Sequence, residues 1–213
     1  MYSNQVWAAL ALDSTRYIYK GDSQSLPLTV KNDAKMEFGA QVWVENIIEN
    51  DTRPTFITTP PFFIIKGEGE QLIRIMKVSD HMPKDKESIY WFNLQEIPPK
   101  QKGSGIALAI RTRVKLLYRP EGLEAGRKGA EKNLTVEYLP GEQWLVNTTP
   151  YIFAVQSVLD VNDQPLEFNH EDSQTLAMFM PGDRVRISNM SVKAVSALND
   201  YGNVEINRLI SAK

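Results

Sequence analysis

The chain contains no cysteine. That removes disulfide scaffolds, thiol nucleophiles, cysteine-ligated zinc and iron–sulfur clusters together. It does not fix the compartment, because an exported chain of this size can bury enough surface to fold without disulfides. Histidine is nearly as scarce, with only His81 and His170. Neither stands at a metal-ligand spacing, and both read as solvated loop residues. No apolar run approaches the ~20 residues of a membrane span. Neither sign of charge dominates, since the formal net charge is -2, which gives no global pull toward nucleic acid or an anionic bilayer.

Catalytic patterns are missing too. There is no G-x-S-x-G elbow and no phosphate-cradling glycine loop. Gly67-Glu68-Gly69 is short and acidic, and reads as a hairpin turn. Asp85 and Glu87 form the kind of carboxylate pair that loops often carry. Nothing assembles a nucleophile, a base and oxyanion donors. The sequence therefore predicts a non-enzyme with no catalytic residue, no cofactor and no metal. Sequons at Asn50, Asn133, Asn147 and Asn189 matter only in a eukaryotic secretory route.

What the chain does have is short runs of period-two alternation, broken every ~8–12 residues by Gly, Pro, Asn and Asp. Leu26, Leu28 and Val30 alternate with Pro27, Thr29 and Lys31, and Ala40, Val42 and Val44 with Gln41, Trp43 and Glu45. Apolar runs follow at Phe62–Ile65, Leu72–Met76 and Ile89–Leu94. The apolar run ending at Leu12 has no basic lead and stops at Asp13 and Arg16, so it reads as a first strand and not an export signal. The longest strand expected is Ile106 to Arg119, closed by Pro120. The polar, glycine-bearing stretch Glu121–Gly129 reads as a linker. A second β pattern follows at Leu134–Tyr138, Trp144–Val146, Ile152–Val158, Leu176–Met178 and Val185–Ile187. Val192–Leu198 and Val204–Leu209 close it as a hairpin across Asn199-Asp200-Tyr201-Gly202. The fold class expected is all-β, with two sandwich domains at 1–121 and 122–213.

Charge is unusual in one place. From Lys100 to Arg119 there are six basic residues, Lys100, Lys102, Arg111, Arg113, Lys115 and Arg119, and no acidic one. A nucleic-acid stripe, a solvated strand face and an anion anchor all remain open. A long apolar strand at a sheet edge is an aggregation hazard unless pairing with another chain is its purpose.

These residues carry a resemblance. Ile106-Ala107-Leu108-Ala109-Ile110 followed by Lys115-Leu116-Leu117-Tyr118-Arg119-Pro120 resembles the donor strand of periplasmic pilus chaperones of the chaperone–usher pathway. Glu87–Pro99 resembles the preceding strand of that family, and Ala11–Tyr19, Thr59-Pro60-Pro61 and Asn199–Gly202 also match. The resemblance implies two immunoglobulin-like sandwiches in an L or boomerang. It implies that Arg16 and Lys115 grip the C-terminal carboxylate of a client pilin, while Ile106, Leu108 and Ile110 fill the client's open groove. It further implies an interdomain ionic network of Glu87, Arg119 and Asp200, and a recurrent charged position at Arg74. Delivery to an outer-membrane usher, a periplasmic location with the export signal already removed, and self-association through the donor edge in the free state belong to the same reading. Nucleic-acid binding and membrane insertion do not. The short connection at Lys100–Gly105, without flanking cysteines, resembles the short-loop branch of the family. Strict alternation sets Lys115 on the face opposite Ile106, Leu108 and Ile110, so a bulge or twist is required for all four to meet one client. The competing reading, a two-domain immunoglobulin-like adhesion or receptor-binding module, gives Arg16 and Lys115 no role.

Overall fold

The structure, a computed structural model, describes residues 8–47, 53–100, 108–187 and 191–210. The chain divides into two units, one of residues 1–82 with 89–117 and the other of residues 83–88 with 118–213.

In the first unit the strands are β1 (Leu10–Leu12), β2 (Arg16–Lys20), β3 (Leu26–Asn32), β4 (Phe38–Asn46), β5 (Phe56–Thr59), β6 (Phe62–Ile65), β7 (Glu70–Lys77), β8 (Ser88–Ile97) and β9 (Arg111–Arg119). They form a four-stranded sheet, β1-β3-β7-β5, and a five-stranded sheet, β2-β9-β8-β4-β6. Alternation decides which side chains face inward. Leu28, Val30, Ala40, Val42, Ile73, Ile75, Phe92 and Leu94 are all buried, while Lys31, Gln41 and Arg74 between them face water. Each large aliphatic in this core contributes roughly 1.5–3 kcal/mol.

Gly67-Glu68-Gly69 is a turn but not a hairpin. It carries the chain from β6 in one sheet to β7 in the other. Gly67 lies against the Lys35 carbonyl so closely that a Cβ would sit 2.0 Å from its oxygen, which only glycine avoids.

The second unit contains α1 (Glu124–Arg127), a 3₁₀ turn at Ala130–Asn133, β10 (Thr135–Leu139), β11 (Glu142–Val146), β12 (Ala154–Asp160), α2 (His170–Ala177), β13 (Arg184–Arg186), β14 (Val192–Leu198) and β15 (Val204–Arg208). The sheets are β10-β11-β13 and β12-β14-β15, packed around Leu134, Leu145, Phe153, Val158, Phe179, Val185 and Val195. Three sequence expectations fail here. Leu176–Met178 is not a strand, because Leu176 belongs to α2 and is the buried residue of that helix. Asn169 starts the helix, its side chain accepting the Asp172 amide at 2.8 Å, and Glu171 and Asp172 favour the positive end. His170 accordingly opens a helix instead of lying in a loop, and pairs with Gln174 at 2.9 Å. The stretch Glu121–Gly129 is not a plain linker either, since it forms α1 and buries Arg127.

Asn147 shows how a polar residue sits in this core. It is fully buried; its Nδ2 donates to the carbonyls of Tyr151 and Phe179, and its Oδ1 accepts from Thr149. Its amide is wholly engaged in holding a turn, and so unavailable to a glycan.

Candidate functional site

Arg16 opens β2 and Lys115 lies within β9, its neighbour in the five-stranded sheet. The approach to Arg16 is fixed locally. Ser14 Oγ donates to the Arg16 carbonyl at 2.6 Å, and Tyr17 bonds back to Asp13. Arg16 is buried. Burial pushes the Lys115 ammonium below its ordinary value of 10.5, and the neighbouring Arg16 charge pushes it the same way. Two cations brought together in a half-dry place favour an anion between them, and a carboxylate matches both in charge and hydrogen bonding.

Leu108 and Ala109 are exposed, Leu108 by 62%, and Ile110 is half-buried. Strand β9 starts at Arg111, and the described residues 108–110 before it, expected from alternation to belong to the strand, do not. Ile106 lies outside the described residues. The Ile110 carbonyl accepts from the Glu96 amide at 2.9 Å and from Gln95 Nε2 at 3.2 Å.

The basic run divides by partner. Arg111 stacks on Trp43 at 4.7 Å and reaches Glu45 at 2.7 Å, while Arg113 lies over Trp91 at 5.4 Å. Asn93 Oδ1 also accepts from Arg111. Against the push of burial, the Trp43 N–H and the Arg111 guanidinium hold the Glu45 carboxyl below its usual value. These two arginines therefore brace the outer face of the sheet, and Lys115 lies beside Arg16. Arg74 stands exposed on β7 opposite Thr59 and Pro27.

The structure brings Glu87, Arg119 and Asp200 into one network inside the second unit. Arg119 Nε donates to Glu87 Oε1 at 2.6 Å, and its two terminal nitrogens meet Asp200 at 2.7 and 2.9 Å. Glu87 Oε2 accepts the Ile152 amide at 2.8 Å. Burial pushes the Glu87 carboxyl up, and Arg119 and the Ile152 amide draw it back. Asp200 is presented by the β14–β15 turn, where Asn199 Oδ1 accepts two amides and Gly202 takes a positive φ of 81°. Sequence reasoning missed Glu124, 3.1 Å from Arg119, and the buried pair Arg127–Glu131 at 2.9 Å. The i,i+4 spacing of that pair was the available signal.

Among the described residues no cluster of His, Asp and Glu could hold a metal, and no helix is long and apolar enough to cross a membrane.

The chain thus has two β-sandwich units, two cations on neighbouring strands of one sheet, and an exposed apolar segment leading into β9. Comparison with known proteins specifies the class. Residues 9–124 match the family described as pili and flagellar-assembly chaperone, PapD N-terminal domain. The chain is 53% identical over 207 residues to the chaperone protein ClpE of Escherichia coli, covering 96% of this chain and 78% of the relative. It is likewise 53% identical to the chaperone protein FaeE of Escherichia coli, over 96% and 80% of the two chains. The crystal structure of the periplasmic chaperone SfaE superposes with a TM-score of 0.74 at 33% identity, over 94% and 98%. The chain belongs to the PapD family of pilus-assembly chaperones, whose two domains are immunoglobulin-like.

Proposed function

We propose that this chain works in the periplasm as a non-enzymatic chaperone that caps pilin subunits by lending them a strand and passes them to an outer-membrane usher. The observation that carries the reading is the pairing of Arg16 with Lys115 on neighbouring strands, with the exposed apolar segment Leu108–Ile110 preceding β9 on the same stretch of chain. The two cations hold the client's terminal carboxylate and set the register. Ile106, Leu108 and Ile110 enter the client's groove, each contributing roughly 1.5–3 kcal/mol before ordering costs. Glu87, Arg119 and Asp200, which the resemblance implied as an interdomain network, all fall in the second unit, and in this reading they hold the 83–88 segment and the end of β9 to it. The exposed side chains of Phe62 and Ile64, directly after Pro60-Pro61, together with Ile97 across Gly39, form the apolar patch assigned to the usher.

The test is a pull-down from periplasmic extract with wild type and with Arg16→Ala/Lys115→Ala. Retention of small pilin-like proteins by wild type alone supports the reading. Equal retention by both proteins overturns the anchor, and retention by neither moves the adhesion-module reading to the front.

A further inference from the structure

The inward row of β8 is Tyr90, Phe92, Leu94 and Glu96, all buried. Period two asks for an apolar side chain at the fourth place, and the chain puts a carboxylate there, only 2% exposed. Its cross-strand partner on β4 is the fully buried Ala40. A buried carboxylate is costly unless something specific holds it.

Two backbone amides do so. Leu10 N donates to Glu96 Oε1 at 2.8 Å, and the Ala9 amide bonds to the same side chain. Both belong to the N-terminal segment, whose β1 is the outer strand of the opposite sheet. The Glu96 side chain therefore spans the sandwich interior from one sheet to the edge of the other. Meanwhile its own backbone amide donates to the Ile110 carbonyl, where the donor segment enters the sheet. One residue thus ties the start of β1 to the root of the donor segment. Burial pushes this carboxyl up, and the two amides pull it down.

We infer that Glu96 is a positioning residue for strand donation, fixing the root of the donor segment at Ile110 by anchoring it across the sandwich to Ala9 and Leu10. This rests on the chaperone reading above. Without the carboxylate, the Ala9 and Leu10 amides lose their acceptor and β1 frays. The end of β8 then loosens, and with it the hold on Ile110. The effect falls on the residues that must lie extended before a client meets them.

The experiment compares wild type, Glu96→Met and Glu96→Gln. Methionine fills the volume but accepts nothing; glutamine keeps the accepting oxygen. Amide hydrogen exchange is measured in each free protein, and affinity is measured for a short peptide of alternating apolar residues with a free terminal carboxylate. Exchange about tenfold faster at Leu10 and across residues 108–112 in Glu96→Met, with about tenfold weaker peptide binding, is the expected result. Glu96→Gln is expected within about threefold of wild type on both readouts. Faster exchange confined to Leu10, or equal loss in Gln and Met, overturns the inference. If wild type fails to bind the peptide, the chaperone reading falls, while the exchange pattern still decides whether Glu96 orders residues 108–112.

Discussion

Arg119 Nε lies 2.6 Å from Glu87 Oε1 with both side chains out of water. The guanidinium is fork-shaped, and Asp200 takes its other two nitrogens in a bidentate contact. A charge held this way has little to gain from water and much to lose if one partner goes.

Removing one partner should therefore cost far more than removing both. Arg119→Met strands Glu87 in the interior and is expected to cost about 3–5 kcal/mol in urea unfolding. Adding Glu87→Gln to it is expected to recover much of that loss. A double variant no more stable than the single would show that the pair is not coupled.

Leu108 is expected to separate function from folding. Being exposed, it contributes little to the free protein, so Leu108→Asp should change stability by no more than about 0.5 kcal/mol. Its binding to an apolar peptide should fall at least tenfold. Sedimentation at high concentration should likewise show less self-association than wild type.

Lys115 gives binding an alkaline limit. Its folded-state pKa lies below the unfolded 10.5, so the charged form costs the free protein stability at acid and neutral pH, and that cost fades as pH rises from the folded value toward 10.5. A bound carboxylate stabilises the ammonium and raises that pKa. Affinity for a carboxylate-ended peptide should then fall as pH climbs through the free-protein value, beginning below 10.5. The amidated peptide should show no such fall, and Lys115→Arg should flatten the profile. Calorimetry at several pH values measures all three.

Asn169→Ala should cost about 1 kcal/mol through loss of the α2 cap, read as a lower urea midpoint. Peptide affinity should not change, because the helix belongs to the second unit and Arg16 and Lys115 to the first.

Most of the strands were legible because alternation reports burial directly. Leu28 and Val30, Ala40 and Val42, Ile73 and Ile75 all face inward as the pattern requires. Helix α2 was not, since a helix that buries one residue, Leu176, leaves no apolar stripe to read. Its Asn169 cap with an acidic Asp172 three positions on was the usable clue. The segment Glu121–Gly129 looked like a linker because its work is ionic, through Glu124 and Arg127, and ionic residues also mark loops. Alternation overextended β9, because it records which side chains are apolar and not which backbone groups are paired. The pairing of Arg16 with Lys115 depends on which strands become neighbours, and no local pattern encodes that. Family resemblance alone marked those two positions.

The division of the chain also imposes an order in time. A polypeptide emerging from its N-terminus exposes Glu87 early, with Arg119 still 32 residues behind and Asp200 a further 81 beyond that. Until those arrive, the segment 83–88 belongs to a unit that does not yet exist. Its carboxylate must wait in water, where waiting is cheap, and enter the interior only after its cation appears. A chain cut after residue 117 would keep both sheets of the first unit, yet be left holding an anion with no counterpart, a handle by which an unfinished molecule differs chemically from a finished one.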